Sequence, residues 1–116
     1  MKVTRLYSGT DGESHFEDID IPLARFEPGE ERSEFIKATG IIFRETSESQ
    51  DLDWHNAPRR QYVFTLKGRG EIVVGDGTSR QFGPGDIMIA DDLTGRGHMT
   101  RGVGNQPRIS IFVTLD

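Results

Sequence analysis

The chain has 116 residues and a mass of 13.0 kDa, enough for one compact domain around one core and too little for two. Fourteen basic against nineteen acidic residues leave a formal charge of -5, which argues against a nucleic-acid clamp or a polybasic membrane binder. With no cysteine in the chain, a disulfide framework, a thiolate nucleophile and Cys-type zinc sites are excluded, so any metal must be held by His, carboxylate or amide.

The N-terminus reads Met1, Lys2, Val3, Thr4, Arg5, without the apolar core and small-residue cleavage site of a secretory signal. The longest uninterrupted apolar run is the four residues from Ile87 to Ala90, where a spanning helix needs roughly 20. A soluble, cytoplasmic protein is the expectation. Residues 1–53 carry a charge of -7 and residues 54–116 a charge of +2. The acids of the first part are interspersed with Phe16, Ile19, Ile21, Phe26 and the run Ile41, Ile42, Phe43, so this part reads as folded strands rather than an acidic tail. Pro28 to Glu34 and Glu45 to Asp51 read as exposed connections. His15, beside Phe16 near the start of a strand, reads as a surface or dimer-contact residue.

Ten of the fourteen glycines form G-x-G pairs, at 68/70, 75/77, 83/85, 95/97 and 102/104. Helices do not tolerate that punctuation, and the segments between the pairs are rich in β-branched and aromatic residues. Strands are predicted over 61–67, 71–74, 79–82, 86–90 and 108–115, with Gly75, Asp76 and Gly77 as a hairpin turn. No stretch carries a helical apolar period. Short strands at this spacing imply a sandwich or barrel. A phosphate-loop reading of G-x-G fails because strands, not helices, follow the glycines. Asp91 and Asp92 point opposite ways on an extended chain and read as part of a solvated loop. Arg59 and Arg60 either pin an anionic ligand or sit on the surface.

From Trp54 to His98 the sequence resembles the two-part signature of the small single-domain cupins, the RmlC-like jelly-roll proteins. The first motif of that family is H-x-H, then Glu after three or four residues, then Gly six residues on. Here His55 is kept, Ala57 stands at the second His, Gln61 stands at the Glu, and Gly68 follows. The second motif resembles Gly83, Pro84, Gly85, Asp86, a strand, a loop and then His98. The resemblance implies an all-β, single-domain cupin-type double-stranded β-helix (jelly-roll) barrel over residues 1–116. Within it, 1–45 form N-terminal strands available for dimer pairing, 52–104 carry the cupin motifs and 107–116 close the fold. It also implies a homodimer, with Val3, Leu6, Phe16, Ile19 and Ile21 either pairing between subunits or completing the chain's own sheet.

The family's positions offer His55, Gln61 and His98 as catalytic or ligand-contacting groups. Phe43, Val63, Thr65, Met88 and Arg59 are the expected pocket residues, while Trp54 and Tyr62 fall on the opposite face. An incomplete metal motif of His55, Gln61 and His98, with Asp53 as a rescue because it shares the strand face of His55 at i, i+2, implies no cofactor or a weakly held divalent metal such as Zn, Fe, Mn or Ni. Two histidines and an amide suit proton transfer on a small organic ligand, of the isomerase, dehydratase or lyase type. The alternatives are a metal-dependent Fe or Mn dioxygenase and a non-catalytic metabolite-binding module. Function belongs to the site rather than the fold.

Overall fold

The computed structural model describes residues 1–116 as twelve β-strands without a helix. In chain order they are β1 (Lys2–Ser8), β2 (Ser14–Asp20), β3 (Ala24–Glu27), β4 (Glu30–Arg32), β5 (Gly40–Thr46), β6 (Asp51–His55), β7 (Gln61–Lys67), β8 (Arg69–Val73), β9 (Ser79–Phe82), β10 (Ile87–Asp91), β11 (His98–Val103) and β12 (Arg108–Thr114). The strands expected after residue 60 fall where the glycine punctuation puts them. The two stretches expected as exposed connections contain more order than that. Glu30–Arg32 is the second arm of a hairpin, and Glu45–Asp51 runs from the end of β5 to the start of β6.

The strands form a six-stranded sheet in the order β2-β1-β10-β7-β12-β5, a four-stranded sheet in the order β6-β11-β8-β9, and the separate pair β3-β4. No sheet closes on itself, which corrects the expected barrel. Each of the two larger sheets ends in two edge strands, β2 and β5 on one and β6 and β9 on the other. The reason lies in the connections. From β5 onward every connection except that from β8 to β9 crosses between the two larger sheets. Strands consecutive in sequence therefore mostly face each other across the core instead of continuing one ladder round a closed wall. The sharpest crossing is at Gly68, between β7 and β8, where φ is 74° and an added Cβ would lie 2.6 Å from the carbonyl oxygen of Pro107. Only glycine meets both demands.

The core lies between the two sheets. Leu6, Met88 and Ala90 project from the larger one and Ile72 and Phe82 from the smaller, joined by Ala57 and Val74 from the connections. Val3 and Leu6 complete the chain's own packing, because β1 pairs with β2 on one side and β10 on the other.

Leu6 is 0% exposed and sits in this cluster. Leu6→Ala is expected to cost about 2–5 kcal/mol, the range for a large-to-small core substitution. Equilibrium urea denaturation checks this, and a loss under about 1 kcal/mol would mean that the site collapses around the deletion.

Candidate functional site

The inner faces of the two sheets enclose a cavity of about 200 Å³ with 18 lining residues. It is smaller than the ~300–1,000 Å³ typical of drug-sized sites. Of the residues expected in the pocket, His55, Gln61, Val63, Thr65, Met88 and His98 line it. Gln61, Val63 and Thr65 alternate on β7, so period-two geometry turns all three inward. Tyr62 and Phe64 point to the outer face, where they line an apolar groove.

The imidazoles of His55 and His98 have ring centroids 4.4 Å apart. They are direct cross-strand partners of the β6–β11 ladder, and so neighbours on one sheet rather than groups facing each other across the cavity. Between this pair and the next, Leu52 with Thr100, β6 advances three residues while β11 advances two. That extra residue is a β-bulge, and it turns His55 onto the same face as Leu52 against strict alternation. Asp53 is displaced by the same bulge. Its side chain is exposed and lies outside the cavity, and its Oδ1 accepts a hydrogen bond from the backbone N–H of Trp54. Asp53 is therefore no rescue ligand.

Phe43 and Arg59 also lie outside the cavity. Phe43 is 75% exposed, because β5 turns Arg44 and Thr46 inward and Phe43 outward. The run Ile41, Ile42, Phe43 carries no polar alternation from which to read that parity. Arg59 is on the exposed connection before β7. Neighbouring Arg60 pairs with Asp116 at 3.3 Å.

Asp92 overturns the solvated-loop reading. It is 0% exposed, accepts a hydrogen bond from Ser14 Oγ at 2.7 Å, and lies 2.5 Å from His98 Nδ1. A carboxylate only accepts, so the proton lies on Nδ1 and His98 is left with Nε2 free of any protein partner. His55 is set the same way, its Nδ1–H donating to the carbonyl of Asp53 at 2.7 Å. The amide of Asn56 ties the loop before β11 in place, donating to the carbonyls of Asp92, Thr94 and Gly95. Asp91 faces the opposite way and forms an ion pair with Arg5 at 2.9 Å, a hydrogen-bonded contact that raises the Arg5 guanidinium above its ordinary value. His15 is a partly exposed surface group, bonded to Asp11 at 2.8 Å; that hydrogen bond lowers the Asp11 carboxyl.

Gln61 is 3% exposed and its Oε1 has no hydrogen-bond partner, although the residue lines the cavity. A buried polar atom left unpaired costs roughly 1–3 kcal/mol until water or a ligand meets it, and Glu13 Oε2, Asp92 Oδ1 and Ser110 Oγ likewise have no protein partner. Sequence reasoning missed Arg44 and Arg108, which reach the cavity from β5 and β12. Burial holds both guanidiniums below their ordinary range, and in Arg108 the charge of Arg44 adds to the effect. Strand parity was the only sequence signal for them.

The donor set does not fit a divalent metal. Two imidazoles and the neutral amides of Gln50, Asn56 and Gln61 line the cavity without a carboxylate, two guanidiniums share its wall, and no group of three or more His, Cys, Asp or Glu is arranged to hold an ion.

Three crystal structures are similar to the fold, each with a TM-score of 0.51. One is protein NMB1881 from Neisseria meningitidis, 18% identical over 70% of this chain and 79% of its own. Another is the conserved SPY1581 protein of unknown function from Streptococcus pyogenes, 19% identical over 69% and 67%. The third is a conserved Klebsiella pneumoniae protein with a double-stranded β-helix domain, 23% identical over 79% and 77%. The arrangement of the sheets resembles that of the double-stranded β-helix domain. At these identities the likeness concerns the arrangement of the sheets and does not extend to chemistry. No family model and no curated protein matches the chain. No helix is long and apolar enough to cross a membrane.

Asp92→Ala is expected to cost roughly 3–5 kcal/mol, because it strands two buried partners at once. Ser14→Ala removes only one bond to the carboxylate and is expected to cost less, about 1.5–3 kcal/mol. Chemical denaturation of both variants gives the order; Asp92→Ala below Ser14→Ala would remove the carboxylate from its anchoring role.

Proposed function

We propose that this chain is a small-molecule-binding domain whose ligand occupies the cavity between the sheets and is bound without being transformed. The unpartnered amide of Gln61, facing the same space as the free Nε2 atoms of two imidazoles, carries the reading. Val63, Ile72, Met88 and Phe112 supply the apolar wall against which an organic body rests. The reading is tested by native mass spectrometry of freshly purified protein and by thermal-shift screening against small polar metabolites. A ligand is expected to raise Tm in the wild type, with Gln61→Met reducing that rise several-fold while leaving the unliganded protein folded. An equal rise in Gln61→Met would place the ligand elsewhere.

A second reading, acid–base catalysis, rests on the buried Asp92–His98 pair, which orients His98 as a general base or acid is oriented. The two readings part on the fate of the ligand. Recovery of the bound molecule unaltered after prolonged incubation supports binding alone, and its conversion by the wild type but not by His98→Ala supports catalysis.

We infer that the domain is a homodimer, on ground other than its first strands. The β3–β4 hairpin hydrogen-bonds to neither larger sheet, and an isolated two-stranded hairpin is marginal in water. Within it Phe26 is 58% exposed and after it Phe35 is 94% exposed, while β5 leaves an apolar edge unpaired. The accessible surface of 7092 Å² exceeds the ~6,300 Å² of a compact monomer of this mass. Light scattering is expected to give twice the chain mass of 13.0 kDa, and Phe35→Glu combined with Phe43→Glu to give a monomer. A monomeric wild type at micromolar concentration would refute the dimer.

A further inference from the structure

Arg44 and Arg108 are the two half-buried cations that no carboxylate balances. Arg44 has a long hydrogen bond to Thr46 Oγ1 at 3.4 Å and lies over the ring of Phe112 at 4.3 Å. Arg108 has one long hydrogen bond, to Gln50 Oε1 at 3.3 Å. Neither forms an ion pair, whereas Arg5 and Arg80, the other half-buried arginines, both do. The wall they share with His55 and His98 contains no Asp or Glu, in a chain with nineteen acids. Two like charges held near each other and partly out of water are costly unless a counter-charge joins them. The backbone makes room for the arrangement: the guanidinium of Arg108 lies where a Cβ at residue 70 would be, so Gly70 is the space into which Arg108 crosses from one sheet to the other.

We propose that the ligand of this cavity is a small organic carboxylate, its anionic head held between Arg44 and Arg108 and its body against the apolar wall, with Gln61 and the imidazoles meeting a second polar group. This rests on the binding reading above and adds the charge and class of the ligand. A guanidinium fork matches a carboxylate with two parallel N–H bonds, and the charge-assisted bonds are about twice as strong as neutral ones. The apolar lining of Val63, Ile72 and Phe112 favours an organic acid over a bare inorganic anion, which would leave that surface uncovered.

The test is titration of the isotopically labelled full chain by NMR with lactate, malate and benzoate, with the primary amide of each, and with inorganic phosphate, following the amides of Gly70, Thr65 and Thr100. The carboxylates are expected to bind at least ~10-fold tighter than their amides, with the shifts confined to the cavity. Arg44→Gln and Arg108→Gln are each expected to weaken the carboxylates by ~10-fold or more and to leave the amides within about twofold. Gly70→Ala keeps every charge but displaces the Arg108 guanidinium, and is expected to reproduce the Arg108→Gln loss. The unliganded Arg→Gln variants are expected to melt no lower than the wild type, since each removes half of a repelling pair; a lowered Tm with unchanged carboxylate affinity would make the arginines structural and overturn the proposal. Equal binding of acids and amides would overturn it while leaving the binding reading intact. Phosphate binding in preference to every carboxylate would overturn the organic-acid class. Failure of every probe to shift a cavity residue would overturn both.

Discussion

The carboxylate of Asp92 is the point from which the arrangement of this molecule is set. It is fully buried, and it joins Ser14 at the start of β2, on the edge of the larger sheet, to His98 at the start of β11, in the smaller one. A buried carboxylate is tolerable only when its charge is met by good donors, and once they are in place they are expensive to remove. The loop between β10 and β11 is accordingly held at both ends, by Asp92 itself and by the three carbonyls bound to Asn56. The orientation of His98, the pairing of His98 with His55 and the polar end of the cavity follow from this junction.

The charge of the chain and the charge of its cavity have opposite signs, and the distinction is physical. Acidic side chains on the surface keep their hydration, and most of the ion pairs there are exposed and contribute little. At the cavity wall two half-buried guanidiniums have no carboxylate partner although the molecule is acidic overall. Net charge argues well against a polyanion as partner and says nothing about a small anion enclosed between sheets. Ala57 and Gln61 fit the same picture: at the positions where the resembling family keeps a histidine and a glutamate, this chain has a small apolar group and an uncharged amide, both lining the cavity.

The strands after residue 60 were legible because glycine pairs bracket short β-branched segments, and the inward set Gln61, Val63, Thr65 was legible because β7 alternates without interruption up to Thr65. The parity of β5 was not, since Ile41, Ile42 and Phe43 are all apolar and offer no contrast between faces. Nor was the β6 bulge, which reversed the relation of Asp53 to His55. A bulge inserts one residue without any required residue type, so composition does not announce it. Asp92 looked like loop polarity because its partners, Ser14 and His98, are 78 and 6 positions away in sequence.

The resemblance to the cupin motifs is what grouped His55, Gln61 and His98; from the amino-acid order alone came an all-β fold with its turns and the exclusion of thiol chemistry. These rest on local rules: glycine's access to positive φ, the two-residue period of a strand, and the side-chain types present. Tertiary structure decided that the sheets stay open, that Phe43 faces out and Arg44 in, that Asp92 is buried, and that the cavity is cationic. Each of these depends on which strands lie opposite one another across the core, a relation between residues distant along the chain that no local pattern encodes.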